Sequence, residues 1–177
     1  MMRLLRWLAP MACALLVACS ANAAAPNFTL LDDAGAPWSL AAQHGTPVTI
    51  FFGFTHCADT CPLTLAKLVK ASNGSEGTIA FVTVDPQRDT PAVMHAFLRR
   101  FHSSRLVGLT GTLDQILAVE SAYHVWAQRI PGKHGGDDYD EAHASSIFYV
   151  DGNGRIAAIG DASDSVAAMA HALRAAS

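Results

Sequence analysis

From residue 28 onward, apolar residues either alternate with polar ones or run together in a regular succession. NFTLLDDAGAPWSL carries two short apolar stretches around Asp32-Asp33-Ala34-Gly35, which predicts a β-hairpin. PVTIFFGF is an unbroken β-branched and aromatic run, the pattern of a strand buried on both faces, and TIAFVTVD repeats it. Between them PLTLAKLVKAS places Leu65, Leu68 and Val69 at helical spacing and stops at Asn73-Gly74. A second helix over TPAVMHAFLRRF has Thr90 as its cap and Pro91 at its first position. RLVGLTG predicts a short strand and TLDQILAVESAYHV a third helix capped by Thr112. An irregular segment follows, QRIPGKHGGDDYDEAHAS, rich in Gly and Asp. SIFYVDGNGRIAAIGD then reads as a hairpin turning at Asp151-Gly152-Asn153-Gly154, and SDSVAAMAHALRAAS as a closing helix.

Strands that alternate with helices and end in a hairpin predict an α/β layer fold, with a central mixed sheet flanked by helices and an N-terminal hairpin. No internal repeat is present, and 177 residues suit one domain with a sizeable core.

The first residues carry a different pattern. MMRLLR supplies positive charge, and WLAPMACALLVA is an apolar run too short to span a bilayer, so residues 1–18 read as an export signal. Leu16-Val17-Ala18-Cys19 fits a lipoprotein signal site, which would make Cys19 the lipid-modified first residue. Ala21-Asn22-Ala23 is a competing site for ordinary cleavage. The small residue before Cys19 and the apolar Leu16 favour the lipoprotein reading. Residues 19–27 are then a linker and 28–177 the folded domain. The expected place is the periplasmic side of a bacterial membrane, touched only through the anchor at Cys19.

Charge and cysteine count narrow the classes further. A net charge of -3 with no clustered basic face argues against nucleic acid. Four cysteines are too few for a disulfide framework. Cys13 leaves with the signal, and Cys19 is lipidated or removed, so the mature domain keeps Cys57 and Cys61. In an oxidising compartment such a pair forms a disulfide unless a reductant or a metal holds it.

Both sit in FFGFTHCADTCPLTL. Pro62 fits the first position of a helix and pushes Cys61 out of the α region, which predicts Cys61 at the helix N-cap. Cys57 then lies in the loop after the strand and is the more exposed sulfur. Both thiols reach the carboxyl end of a sheet strand, where open α/β sheets place ligands, and the helix N-terminus favours a thiolate. A disulfide closing so short a loop stabilises little. A redox pair and a pair of soft-metal ligands remain, and a metal needs a third donor.

Histidine is the natural third donor, and eight are present. His95, His102 and His171 fall in or beside amphipathic helices. His44 precedes the strand at its opposite end, and His124 ends a helix. His56 adjoins Cys57 and either leans in or faces solvent. His134 lies within the irregular segment, and His143 stands where that segment enters SIFYVD. A long loop that delivers His143 to the sheet edge would be functional.

THCADTCPLTL, VDPQRDTP, GLTG, the Tyr-x-Val of AYHVWA and a loop ending AHASSIFYVDGNGRI occur in that order over nearly all the mature chain. Together they resemble the Sco (SenC) family of copper-binding assembly proteins. The resemblance implies a thioredoxin-like fold and one copper, Cu(I) or Cu(II), on Cys57, Cys61 and His143. It also implies a role in building the dinuclear copper centre in subunit II of cytochrome c oxidase. That role is delivering copper, reducing the centre's cysteines, or both, and it implies an upstream copper donor or thiol reductant. Two thiolates and an imidazole suit Cu(I) in near-trigonal geometry and can hold Cu(II). Zinc could also occupy such a site with an open position.

The chain departs from the family pattern in two places. Ala142 stands where many members have Asp before the ligand histidine, and Ala58-Asp59-Thr60 replaces the commoner Pro-Asp-Val. Asp85 ends a strand at the cysteine edge of the sheet and is, with His56, a candidate for the outer shell. Arg88 and Asp89 read as a turn and a helix start.

The rival function is a thiol–disulfide oxidoreductase in which Cys57 attacks and Cys61 resolves. Its three-residue spacer differs from the Cys-x-x-Cys of dedicated reductases. A peroxidase on the same fold ranks third, since nothing in the chain resembles a peroxide pocket. Nothing argues for an oligomer.

Overall fold

Phe51 and Phe52, adjacent in the chain, explain why its middle forms a sheet covered on both sides. The Phe51 ring meets Phe81, with centroids 5.9 Å apart, and Phe81 stacks on Phe97. The Phe52 ring meets Tyr123 and Phe148 instead. All are buried. Successive residues of a strand point to opposite faces, so two aromatic layers grow from one strand and the helices bearing Phe97 and Tyr123 cap them.

The computed structural model describes residues 23–132 and 139–177. The export signal, Cys13, Cys19 and His134 lie outside the described residues. In chain order the elements are β1 (Thr29–Asp32), β2 (Pro37–Ser39), β3 (Val48–Gly53), α1 (Thr60–Ala71), β4 (Thr78–Thr83), α2 (Pro91–Leu98), β5 (Leu106–Thr110), α3 (Leu113–Ala122), β6 (Ala127–Pro131), β7 (Tyr139–His143), β8 (Ser146–Val150), β9 (Ile156–Asp161) and α4 (Val166–Ala176). The main sheet has the order β2-β1-β5-β4-β3-β8-β9. β3, β4 and β5 run parallel, and the outer pairs are antiparallel, so the sheet is mixed as expected. α2 packs on β5, and α4 packs on α1 and β9.

Local chemistry sets the turns. Asp32 Oδ1 accepts from the backbone N–H groups of Ala34 (3.0 Å) and Ala36 (2.8 Å), closing the β1–β2 hairpin over Gly35 at φ +82°. Asp151 does the same between β8 and β9, accepting from Asn153 and Arg155 at 2.9 Å each. Thr90 caps α2 with Pro91 in its first turn, and Thr112 forms a reciprocal capping box with Gln115. The end of the linker is also paired. Ala25 N–H donates to Gly154 O, and Ile156 N–H to Ala23 O.

Two expectations are corrected. The N-cap of α1 is Asp59 rather than Cys61, and Cys61 lies inside the first turn. Leu63 N–H donates to Asp59 O at 3.1 Å, the first helical bond. First-turn N–H groups have no intrahelical partner, so Pro62 loses nothing at any first-turn position, and the helix starts earlier. The segment expected to be irregular contains a hairpin. β6 pairs antiparallel with β7, from Ala127↔His143 to Pro131↔Tyr139, apart from the main sheet. AQRIP and YDEAH lack period-2 hydrophobicity because the hairpin is anchored by charged and aromatic side chains rather than by a buried face.

Candidate metal centre

The centre is built where β3 ends. Cys61 projects from the first turn of α1 back onto Gly53 and is fully buried. A β-carbon at Gly53 would lie 2.8 Å from Cys61 Sγ and 2.6 Å from a Phe81 ring carbon. Only a bare backbone lets the sulfur come this close. Cys57, half-buried in the loop before the helix, accepts from Cys61 N–H through its Sγ at 3.3 Å. The expectation that Cys57 is the more exposed thiol is met.

Electrostatics divide the pair. Cys57 is lowered to about 6, chiefly because the Cys61 thiol donates to it. The backbone N–H groups of Cys61, Asp59 and Thr60 add to this against the opposing effect of burial. Cys61 is pushed up, first by giving that hydrogen bond and then by burial. The negative charge therefore rests on Cys57 and the proton on Cys61.

His143 arrives from the other direction, as the last residue of β7. Its Nε2 lies 3.8 Å from Cys61 Sγ, and its Nδ1 lies 2.8 Å from Ala144 O. A carbonyl only accepts, so Nδ1 carries a proton and donates it to Ala144 O, and Nε2 is the ring nitrogen that faces the sulfur. The edge of the ring system packs against Phe54, with centroids 5.8 Å apart. The side chains bring two sulfurs and one imidazole nitrogen to one place, a donor set that fits a soft metal. Among the described residues no three His, Cys, Asp or Glu side chains stand at metal-holding distances from one another.

The turn after β4 grips both halves of this arrangement. Asp89, completely buried, accepts from Thr55 N–H (3.0 Å), Thr55 Oγ1 (2.5 Å) and Thr83 Oγ1 (2.7 Å). Burial pushes the Asp89 carboxyl up, and these bonds pull it back. Thr55 lies near the start of the cysteine loop, so Asp89 holds that loop in place. Asp85, also buried, is bound by Arg88 Nε and by Tyr139 Oη (2.7 Å). Arg88 Nη1 donates to Tyr139 O at 2.9 Å. The Arg88 and Arg129 guanidinium carbons lie 3.6 and 3.8 Å from the Tyr139 ring centroid. Two cations that close cannot share a face, so the ring is sandwiched between them. Tyr139 opens the strand that ends in His143.

Asp85 thus touches no sulfur or imidazole of the centre, but holds the hairpin that bears one. His56 Nδ1 lies 3.2 Å from Thr55 Oγ1 and 3.9 Å from Asp89 Oδ1. Arg88 and Asp89 have the structural role expected of them, directed at the site. Sequence reasoning missed Gly53, Thr55, Tyr139 and Arg129. A glycine inside the apolar run FFGF was a usable signal for the first, and nothing local marked the others.

A mixed sheet with helices on both faces, and a thiol pair at the head of the helix leaving an inner strand, defines a thioredoxin-like protein. The chain belongs to the SCO1/SenC family, whose profile matches residues 18–177. It is 38% identical over 135 residues to the mitochondrial Protein SCO2 homolog of Bos taurus, covering 72% of this chain and 50% of that one. It thus spans about half the length of that relative. Among solved structures it resembles Bradyrhizobium japonicum ScoI with copper bound (TM-score 0.75, 31% identity, 87% of this chain and 99% of that one). It likewise resembles Arabidopsis thaliana ScoI with copper bound (TM-score 0.78, 26% identity, 86% and 98%). Among the described residues no helix is long and apolar enough to cross a membrane.

Proposed function

We propose that this protein binds one copper through Cys57, Cys61 and His143 and assists assembly of the dinuclear copper centre of cytochrome c oxidase subunit II. The observation that carries the reading is the meeting of Cys61 Sγ and His143 Nε2 at 3.8 Å, 82 residues apart in the chain, beside a Cys57 thiol already lowered to about 6. The low pKa of Cys57 leaves its sulfur deprotonated near neutral pH, and Cys61 would give up its proton as the metal binds. The solved relatives named for bound copper have the same fold. The test is anaerobic copper titration of the reduced protein with X-ray absorption at the metal. One copper bound to two sulfurs and one nitrogen supports the reading. Full affinity in His143→Ala removes His143 from it.

The second reading, reduction of the partner's cysteines, is favoured by the charge division within the pair. The Cys57 thiolate would attack a partner disulfide, displacing one partner sulfur as a thiolate. Cys61 would then lose its proton and displace the second, leaving a Cys57–Cys61 disulfide and two reduced partner thiols. Turnover on a disulfide substrate by metal-free protein tests it, with an external thiol reductant regenerating the pair. Export to the periplasmic side, with an anchor at Cys19, completes the proposal. Radiolabelled fatty acid that enters the wild type but not Cys19→Ser checks it.

A further inference from the structure

A cleft of about 340 Å³ lies beside the metal centre, walled by α3, the turn after β4 and the β6–β7 hairpin. Glu120 of α3 lines it, is 6% exposed, and its carboxylate makes no hydrogen bond or ion pair with any described residue. Glu141 of β7 also lines it and is shared with Arg129, Nε to Oε1 3.4 Å. Arg129 is already committed, since its Nη2 donates to Gln87 Oε1 at 2.9 Å and its guanidinium covers Tyr139. At the mouth stand Leu113 and Leu117, 47% and 51% exposed. A buried carboxylate without a partner is costly, and a second carboxylate beside it adds to the cost. Burial first, and the Glu141 charge second, push Glu120 up to about 7.

We propose that this cleft receives a lysine or arginine side chain projected by a protein docked at the Cys57–Cys61–His143 face. The match is one of shape and charge. A basic side chain has an apolar stem, which Leu113 and Leu117 can cover, and a cationic head, which the unpartnered Glu120 and the adjacent Glu141 can hold. Position selects the protein partner as the source. Glu141 and His143 are two residues apart on β7, so they share one side of the hairpin about 7 Å apart along the strand. A protein that meets the thiols therefore spans the cleft. This placement of the partner rests on the function proposed above.

The test is heteronuclear NMR titration of the purified protein at pH 7.5. The probes are acetyl-Ala-Leu-Lys-Leu-Ala-amide, the same peptide with norleucine for lysine, and spermidine. The lysine peptide is expected to give saturable shifts of the Leu117, Glu120 and Glu141 amides. Binding should be about tenfold weaker or more with norleucine and with Glu120→Gln, as for loss of one charge-assisted hydrogen bond. The wild-type peptide comparison stands whether or not that variant folds. Equal binding of the norleucine peptide, unchanged binding to a folded Glu120→Gln, or no saturation overturns the proposal. Spermidine binding tighter than the lysine peptide also overturns it, by making the cleft a site for free polyamines. Copper titration of the same samples separates the two ideas. Failure to bind copper with peptide binding intact strikes the proposed function and leaves the cleft standing.

Discussion

The buried carboxylate of Asp89 is hydrogen-bonded twice to Thr55, 34 residues earlier in the chain. Thr55 lies near the start of the loop that leads to Cys57, so a side chain on the turn after β4 sets the path of a loop after β3. The two strands are parallel neighbours, paired to their last residues at Gly53↔Thr83. Their following loops therefore emerge side by side, and one buried acid can tie them together.

Asp89→Ala should destabilise the protein by about 2–4 kcal/mol, because it leaves the N–H and hydroxyl of Thr55 and the hydroxyl of Thr83 without an acceptor. Thr55→Val removes one of these bonds and should cost about 1 kcal/mol. Urea unfolding followed by circular dichroism measures both. An Asp89→Ala midpoint equal to that of the wild type would show that the loop holds itself.

Gly53→Ala tests the closest approach in the centre. The new methyl would meet the Phe81 ring at 2.6 Å and Cys61 Sγ at 2.8 Å, both in a filled core. Overpacking of this kind costs about 1–3 kcal/mol. Here the sulfur is the more mobile neighbour, so Cys61 should be displaced as well. The expected outcome is a lower melting temperature together with faster labelling of Cys61 by a small alkylating agent in the folded protein. A drop in stability without any change at Cys61 would mean that the Phe81 ring alone yields.

The pH dependence of Cys57 follows from its lowered value of about 6, against the usual thiol range above 8. For a thiol the charged form is favoured as pH rises, so the thiolate fraction and the rate of iodoacetamide modification should climb through a midpoint near 6. Most Cys57 should react as thiolate at pH 7. Cys61→Ala removes the largest cause, the donated S–H, and the midpoint should move up toward the ordinary thiol range. An unmoved midpoint would assign the effect to the backbone N–H groups of α1 instead.

Legibility in the sequence followed the physics that shaped each part. β3 and β4 were plain because burial on both faces demands unbroken apolar runs. The caps at Thr90 and Thr112 were plain because capping is a local contest within four residues. Cys57, Cys61 and His143 were singled out, and the fold brings Cys61 and His143 face to face. The β6–β7 hairpin was not legible. Its strands carry no apolar period, and what orders them lies 42 to 54 residues away in Gln87, Arg88 and Asp85. The start of α1 was misjudged by two residues because Pro62 is compatible with any first-turn position, which leaves local sequence without a preference.

Tyr139 is the residue on which that hairpin turns, and it carries the last prediction. Its ring is sandwiched by Arg88 and Arg129, its hydroxyl donates to Asp85, and its carbonyl accepts from Arg88. Tyr139→Leu removes the ring contacts and the hydroxyl bond while keeping the backbone carbonyl. The loss should be about 1–3 kcal/mol and should be local, because the hairpin is not part of the main sheet. Amide exchange across β6 and β7 should then quicken by about tenfold or more, with β3 and β4 unchanged. Tyr139→Phe keeps the sandwich and loses only the bond to Asp85, so its exchange should fall between the two. If both variants leave the β6–β7 amides as protected as in the wild type, the strand pairing itself holds His143 in place and the sandwich is decoration. If Tyr139→Phe is as loose as Tyr139→Leu, the Asp85 hydrogen bond carries the anchoring, and the two guanidinium groups serve only to balance its charge.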